Sequence, residues 1–298
     1  MKRVVLFLLL TLSCFYVRAQ ETPDTTAQSQ AEWDNDEYLD IEWPDEEEEP
    51  LGWTDYALYV LLALLPAVVL FIFILWRDRL RPEPAKELIL ACAMGLLSVP
   101  IALSVGTLFF DIGLLEADTS TWVNCLKMAF LGAAIPEELG KLIILVLFFK
   151  WRKHQDEFMD GIVYAACIGL AFAAYENVGY VIRALQMESL YDMPLALSTS
   201  VSRALMSVPG HFGFAIMMGF FYSFYLFSNN KKGLYLALAY FVPVLFHGLY
   251  DFFAFMENIS DVWGSVISFA FFLVFFAMNN LCIKVTRTAL KLDDKIPQ

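Results

Sequence analysis

Hydrophobic residues along this chain occur in long uninterrupted runs rather than in amphipathic stripes. The runs cover residues 57–76, 87–110, 122–149, 158–182, 199–228, 233–255 and 263–283. A helix of about 20 apolar residues crosses the hydrocarbon core of a bilayer, so each run predicts a transmembrane helix. The pattern therefore predicts an all-α, polytopic membrane protein of about seven transmembrane helices.

The loops between these runs differ sharply in their basic residues. Lys and Arg cluster between runs one and two, three and four, five and six, and after run seven, whereas the alternate loops contain Arg183 alone. The positive-inside rule then predicts that the mature N-terminus faces outward and that the C-terminus is cytoplasmic. The loops are too short to hold a soluble domain, so any chemistry must take place within or at the edge of the membrane.

The chain begins with two further segments of distinct composition. Residues 1–19 contain two basic residues, a short apolar stretch and a small-residue cleavage pattern, which predict a signal peptide. Residues 21–50 hold 13 of the 33 Asp and Glu residues and no Lys or Arg, so the other 20 acidic residues balance the 20 basic ones. This block predicts an acidic, disordered extracytoplasmic tail over residues 20–56. A membrane-embedded domain (57–283) and a cytoplasmic tail (284–298) complete the predicted organisation.

Ionisable residues lie inside the predicted transmembrane helices, where each costs at least a few kcal/mol and requires a partner or a function. They form four groups: Glu137, Glu138 and Lys141; Glu176 and Asn177; Arg203 and His211; His247 and Asp251. Spacings of three and four residues allow Lys141 to pair with either Glu, and allow Asp251 to fix the tautomer of His247. Counted at 1.5 Å per residue from the outer boundary, Glu137, His211 and His247 lie roughly 22, 18 and 12 Å deep. These depths are compatible with one polar cavity below the outer surface.

Paired carboxylates and two histidines in such a cavity suit hydrolytic chemistry. Two adjacent Glu residues in a low-dielectric site cannot both ionise cheaply, so one of them suits general acid–base work on a water molecule. The histidines can stabilise an oxyanion or protonate a leaving amine. Alternatively, Glu138, His211 and His247 offer zinc ligands with an open position for water, although the HExxH motif is absent. The residues alone leave the use of a metal cofactor open.

The four groups also form recognisable motifs in chain order. They are Glu137-Glu138-x-x-Lys141, Phe172-x-x-x-Glu176-Asn177, the segment from Arg203 to Pro209-x-His211, and His247-x-x-x-Asp251. Together they resemble the PrsW family of intramembrane proteases, distant relatives of the CAAX prenyl proteases, over roughly residues 57–283.

The resemblance implies an endopeptidase of the bacterial cell membrane that cuts a membrane-anchored protein, such as an anti-sigma factor, near the extracytoplasmic side. It implies that four residues are catalytic, namely Glu137, Glu138, His211 and His247. It also implies that five others support them, namely Lys141, Glu176, Asn177, Arg203 and Asp251. The acidic tail is not part of the family pattern, so the resemblance does not identify the substrate.

Other functions remain open at this point. Chains of Glu, His, Asp and Lys also form proton relays, so a proton- or cation-coupled transporter is an alternative, although the small number of spans and the absence of internal repeats argue against it. A second alternative is a non-catalytic binding or immunity protein that works through its acidic tail. A CAAX-type protease for prenylated substrates is disfavoured by the outward depth of His247 and Asp251. We expect the lipid bilayer and a protein substrate, and no nucleic acid, as partners.

Overall fold

The computed structural model describes residues 53–152, 155–191, 195–256 and 264–294. All regular elements in these ranges are helices: α1 (Trp53–Arg77), α2 (Ala85–Gly95), α3 (Ser98–Asp111), α4 (Trp122–Lys127), α5 (Ile135–Arg152), α6 (Phe158–Tyr191), α7 (Leu195–Ser202), α8 (Val208–Phe227), α9 (Lys232–Met256) and α10 (Gly264–Asp293). Two π-helices, Met128–Ala134 and Arg203–Ser207, precede α5 and α8. The predicted signal peptide and nearly all of the predicted acidic tail lie outside the described residues.

Six helical segments of the described chain are long and apolar enough to cross a membrane. They are Tyr56–Arg77, Ala85–Asp111, Phe158–Met187, Leu195–Phe227, Lys232–Met256 and Phe269–Asp293, and they match six of the seven predicted runs. The remaining run, 122–149, is helical throughout, but Glu137, Glu138 and Lys141 make it more polar than the other six. The all-α polytopic fold is thus confirmed, whereas the count of seven spans and their orientation remain predictions.

The second predicted span is broken rather than continuous. Helix α2 ends at Gly95 and α3 begins at Ser98. Pro100 has no N–H to donate to the carbonyl of Leu96. In the same turn, the hydroxyl of Ser98 donates to the carbonyl of Gly95 at 2.5 Å. The absence of a side chain at Gly95 lets the backbone approach α6 closely here, since a Cβ at Gly95 would lie only 2.7 Å from the carbonyl oxygen of Ile168.

The last helix is longer than its hydrophobic run. Helix α10 continues to Asp293, so the first ten residues of the predicted cytoplasmic tail are helical. The carboxylate of Asp293 accepts hydrogen bonds from the backbone N–H groups of Phe158 (2.5 Å) and Met159 (3.1 Å). These N–H groups have no partner within α6, because they belong to its first turn. The end of α10 is therefore anchored on the beginning of α6.

Helices α6 and α8 form the closest helix pair around the site. A Cβ added to Gly161 would lie 2.8 Å from the carbonyl oxygen of Gly219, and a Cβ added to Gly169 would lie 2.5 Å from the Cβ of Ala215. Small residues permit this close approach of two membrane helices, and the order of the contacts shows that the helices are antiparallel. The packing brings the second half of α6 beside the beginning of α8, where the candidate catalytic residues lie.

Each π-helix leads directly into a helix that carries candidate catalytic residues. Pro136 and Pro209 cannot donate to the carbonyls of Gly132 and Leu205, so the regular α-helical pattern is interrupted one turn before each proline. The wider π-turn accommodates this interruption, and such turns are frequent at functional sites.

Candidate active site

All nine residues singled out in the sequence lie in one connected network of polar contacts. They come from five elements: Glu137, Glu138 and Lys141 from α5, Glu176 and Asn177 from α6, Arg203 from the second π-helix, His211 from α8, and His247 and Asp251 from α9. The positions of these side chains therefore agree with the single polar cavity that the sequence predicts.

Lys141 lies at the centre of the network. Its Nζ is 2.8 Å from Oε1 of Glu138, 3.5 Å from Oε2 of Glu137 and 3.1 Å from Nδ1 of His211. The same ammonium group lies 4.2 Å from the centre of the Phe172 ring, an arrangement that favours a cation–π interaction. Lys141 thus contacts both glutamates, as its spacing predicts, and Glu138 is the closer partner.

His211 is oriented by a carboxylate. Its Nε2 lies 2.8 Å from Oε2 of Glu176, and the same oxygen accepts a hydrogen bond from Nη2 of Arg203 at 2.9 Å. A carboxylate at Nε2 favours the proton on that nitrogen, which leaves the lone pair of Nδ1 directed toward Lys141 and Glu137. The distance from Nδ1 to Oε2 of Glu137 is 4.0 Å.

His247 contacts three carboxylates. Its Nδ1 lies 2.9 Å from Oε1 of Glu138, and its Nε2 lies 3.2 Å from Oδ2 of Asp251 and 3.9 Å from Oε2 of Glu137. The contact with Asp251 follows from their four-residue spacing. The contact with Glu138 does not, because it joins α5 to α9. The Phe214 ring stacks on the imidazole at 4.6 Å between centres and 15° between planes, which limits the rotation of the ring.

Asn177 and Arg203 link the site to α1 and hold Glu176 in place. Oδ1 of Asn177 accepts from Nε of Arg203 at 2.8 Å, and Nδ2 of Asn177 donates to the carbonyl of Ala63 on α1 at 2.6 Å. The Arg203 guanidinium also lies 3.8 Å from the centre of the Tyr180 ring. Both residues therefore act on Glu176 and on the position of α1 rather than on a reacting group.

The network is closed on one side and partly exposed on the other. Glu138, Lys141 and His247 have side chains that are 0, 1 and 3% exposed, whereas Glu137 and Asp251 reach 13 and 16%. On α5 and α9 the more exposed residue is the one nearer the predicted outer end. We therefore place the mouth of the site toward the predicted extracytoplasmic side.

Three side chains are spaced as a metal site requires. One carboxylate oxygen of Glu137 and one ring nitrogen from each of His211 and His247 lie within 4.8 Å of one another. Nitrogen and oxygen ligands of tetrahedral zinc lie about 2.0–2.2 Å from the metal, hence roughly 3.4 Å apart. The two separations from Oε2 of Glu137, 3.9 Å to Nε2 of His247 and 4.0 Å to Nδ1 of His211, are somewhat longer than that, and the two ring nitrogens of the group lie within 4.8 Å of each other. This set differs in one residue from the one predicted from the sequence, which has Glu138 with His211 and His247; Glu138 contacts Nδ1 of His247 and Nζ of Lys141.

The charges of the network fit a divalent cation. Four carboxylates (Glu137, Glu138, Glu176 and Asp251) face two cationic side chains (Lys141 and Arg203), which leaves two negative charges in excess when both histidines are neutral. One divalent cation would balance them. Ligation through Nδ1 of His211 requires Nζ of Lys141 to move off that nitrogen toward Glu138.

Glu138 carries the other unusual feature of the site. Its Oε1 contacts Lys141 and His247, whereas its Oε2 is buried and has no hydrogen-bond partner among the described residues. A buried carboxylate oxygen without a partner is costly and suits an atom that works on a water molecule or substrate.

Aromatic residues complete the site, and of these the sequence analysis names only Phe172, as part of a motif. Phe172 and Tyr180 lie four residues before and after Glu176, and Phe214 lies three residues after His211. Helical spacing places such residues on the same face as the polar group, so this periodicity was an available signal. The carbonyl of Ala63 carried no such signal, because every residue has one.

Comparisons with known proteins identify the family of this chain. The family model for "PrsW family intramembrane metalloprotease" matches residues 83–278. "Protease PrsW" of Clostridioides difficile (strain 630) is 29% identical over 221 residues, which cover 74% of this chain and 87% of that protein. "Protease PrsW" of Bacillus subtilis (strain 168) is 28% identical over 218 residues, or 72% and 90% of the two chains. No solved structure matches. The chain belongs to the PrsW family of intramembrane metalloproteases.

Proposed function

We propose that this intramembrane protease hydrolyses a peptide bond of a membrane-anchored protein at the network around Lys141, with Glu138 as general base. The observation that carries the proposal is the unpartnered Oε2 of Glu138, buried beside the group formed by Glu137, His211 and His247. The family assignment does not favour the transporter or the binding-protein alternatives.

Glu138 is held in the orientation that a general base requires. Lys141 and His247 both contact Oε1, which keeps the carboxylate ionised and leaves Oε2 to accept a proton. As the oxygen of a water molecule bonds to the scissile carbonyl carbon, Oε2 takes the proton of that water. Glu138 then returns the proton to the leaving nitrogen as the carbon–nitrogen bond breaks.

Glu137, His211 and His247 are the residues that would hold a divalent metal such as zinc. A bound metal would supply Lewis-acid polarisation and a water molecule with a lowered pKa. Glu176 supports this role, because its contact with Nε2 of His211 keeps Nδ1 directed toward Glu137. Glu138 has the corresponding effect on His247, because its contact with Nδ1 leaves Nε2 directed toward Glu137, and Asp251 lies 3.2 Å from the same Nε2.

The substrate class follows from the position of the mouth and from the resemblance noted in the sequence. The partly exposed groups lie toward the predicted outer ends of α5 and α9, so a substrate would enter from the extracytoplasmic side. A protein with a single membrane anchor, such as an anti-sigma factor, presents an extended segment at this level. We propose cleavage in that segment, close to the membrane surface.

New protein N-termini provide the test. They would be compared in membranes of cells that carry the wild type, Glu138→Gln or the exposed control Glu116→Gln, at matched expression. Termini just outside transmembrane segments should appear with the wild type and with Glu116→Gln, and should be missing with Glu138→Gln. Equal cleavage by the Glu138→Gln variant would refute the assignment of the general base.

A further inference from the structure

A second polar network lies at the opposite end of the helices. Helix α6 carries residues of both networks, since Asp160 belongs to the second one and Glu176 to the active site. The 16 positions between them correspond to about 24 Å along a helix. The second network joins the ends of α1, α5 and α10 to the beginnings of α2 and α6, which lie on the predicted cytoplasmic side.

Arg152 is the centre of this second network. Its Nε donates to Glu87 at 2.6 Å, its Nη2 to Glu83 at 2.7 Å and its Nη1 to Asp160 at 2.9 Å. The Tyr164 hydroxyl donates to Glu83 and, at 2.9 Å, to Glu87. Arg152 belongs by sequence to a basic loop, but its side chain is largely buried. Its guanidinium group donates hydrogen bonds to three carboxylates.

The network contains more negative than positive charge. Among the described residues, this network contains six mostly buried carboxylates (Asp78, Glu83, Glu87, Glu157, Asp160 and Asp293) and two guanidinium groups, those of Arg81 and Arg152. Asp293 is compensated by the N–H groups at the start of α6. Carboxylates that are buried without compensation cost several kcal/mol each. The described residues thus offer little positive charge to Asp78 and Glu157.

Asp78 and Glu157 are the least compensated members. Asp78 is 5% exposed, and its Oδ2 has no hydrogen-bond partner among the described residues. Glu157 is 6% exposed and lies 3.7 Å from Nε of Arg81. Burial and the charge of Glu157 raise the pKa of Asp78 to about 7, and burial and the charge of Asp160 raise the pKa of Glu157 to about 7. Each carboxylate thus lacks a strong positive partner.

We propose that Asp78 and Glu157 bind a hydrated divalent cation of the Mg²⁺ type, which ties the end of α1 to the beginning of α6. Carboxylate oxygens are hard ligands, and Mg²⁺ is commonly held by one or two carboxylates while it keeps several waters. The compact ligand groups of three or more in the described chain comprise Glu137, His211 and His247 only. A cation that retains most of its water therefore suits this pair better than Ca²⁺, which takes six to eight oxygen ligands.

Thermal unfolding of the full-length protein tests this site. At pH 8, MgCl₂ at tenfold above its Kd should raise the Tm of the wild type by roughly 2–4 °C over KCl of equal ionic strength. Asp156→Asn is the matched control, because Asp156 lies one residue from Glu157 and its side chain is 80% exposed. The shift should persist in Asp156→Asn and in Glu137→Gln, which alters the active site, and should vanish in Glu157→Gln and Asp78→Asn/Glu157→Gln.

Three results would overturn the proposal. A Mg²⁺ shift that persists in Glu157→Gln would place the cation elsewhere. Stabilisation by acid alone, with no effect of Mg²⁺ at pH 8, would show that protons compensate the pair. Mn²⁺ binding to the wild type and to Asp156→Asn, measured by electron paramagnetic resonance and competed by Mg²⁺, gives a readout that does not depend on the folding of the Asp78 variant. Absence of a Mg²⁺-competed Mn²⁺ ion would equally refute the site.

Discussion

Nδ1 of His247 lies 2.9 Å from Oε1 of Glu138, although the two residues are 109 positions apart in the chain. The contact links α5 to α9 at the level of the active site. The contact also makes the two oxygens of the Glu138 carboxylate different. One oxygen contacts His247 and Lys141, whereas the other has no hydrogen-bond partner among the described residues. Glu137, the adjacent residue, instead faces the ring nitrogens that a metal would need.

Replacement of Glu138 by Gln should abolish proteolysis without unfolding the protein. Gln keeps the shape of the side chain but cannot accept a proton from water, so turnover should fall by about 10²–10⁴-fold. The rate is measured with purified protein and a substrate identified from the new N-termini. Glu116→Gln, which alters an exposed residue, should retain the wild-type rate.

The metal content of the purified protein should differ between variants of Glu137 and variants of Glu138. Glu137→Ala removes a proposed ligand, so the purified variant should lose bound zinc or another divalent metal in elemental analysis. Glu138→Gln should retain the metal, because Glu138 is not one of the three proposed ligands and contacts Nδ1 of His247, whereas Nε2 of that ring faces Glu137. The opposite result, with metal lost only in Glu138→Gln, would restore the ligand set expected from the sequence.

Glu176→Gln should weaken the metal site indirectly. The carboxylate fixes the proton on Nε2 of His211, and loss of such a supporting group typically costs about 10–100-fold in metal affinity or activity. The measurement is a competition titration with a chelator. Ser104→Ala is a suitable control, since Ser104 is exposed on α3 and its hydroxyl donates to the carbonyl of Pro100 on the same helix. Unchanged metal affinity in Glu176→Gln would argue against the orienting role.

Gly219→Leu should separate α6 from α8 and impair the site at a distance. A Cβ at Gly219 would clash with the backbone of Gly161, so the helices must move apart, and overpacking of this kind costs about 1–3 kcal/mol. We expect a lower Tm in detergent together with reduced activity. Gly179→Leu is the control, because a Cβ at Gly179 has no neighbour within 4 Å, and it should leave the Tm nearly unchanged.

Stability should depend on pH through the second network when divalent cations are removed. The pKa values of Asp78 and Glu157 are raised to about 7 from ordinary values of 3.8 and 4.5. Their contribution to folding is therefore fully present below the ordinary values and is lost as pH rises through 7. The Tm should fall between pH 5 and pH 8, and this fall should be smaller in Asp78→Asn/Glu157→Gln than in Asp156→Asn. An identical pH profile in the two variants would contradict the assignment.

Several features of this protein could be predicted because they depend on local geometry. Apolar runs indicate membrane helices whatever surrounds them, and a spacing of three or four residues brings two side chains together on any helix. The contacts of Lys141 with Glu138 and of His247 with Asp251 are of this kind. The membership of the nine-residue network followed from the high cost of leaving polar groups alone in a membrane.

Other features depend on how the helices pack, and no local pattern contains that information. The different partners of Glu137 and Glu138 arise because α9 presents the two nitrogens of His247 to different carboxylates. In the sequence Arg152 is one of several basic residues in a loop. It is buried among carboxylates only because α2, α5 and α6 meet around it. Whether an apolar run forms a membrane helix depends on the free energy of transferring that segment from water to lipid. The contacts named here depend instead on close approaches between segments, such as that of Gly161 and Gly219.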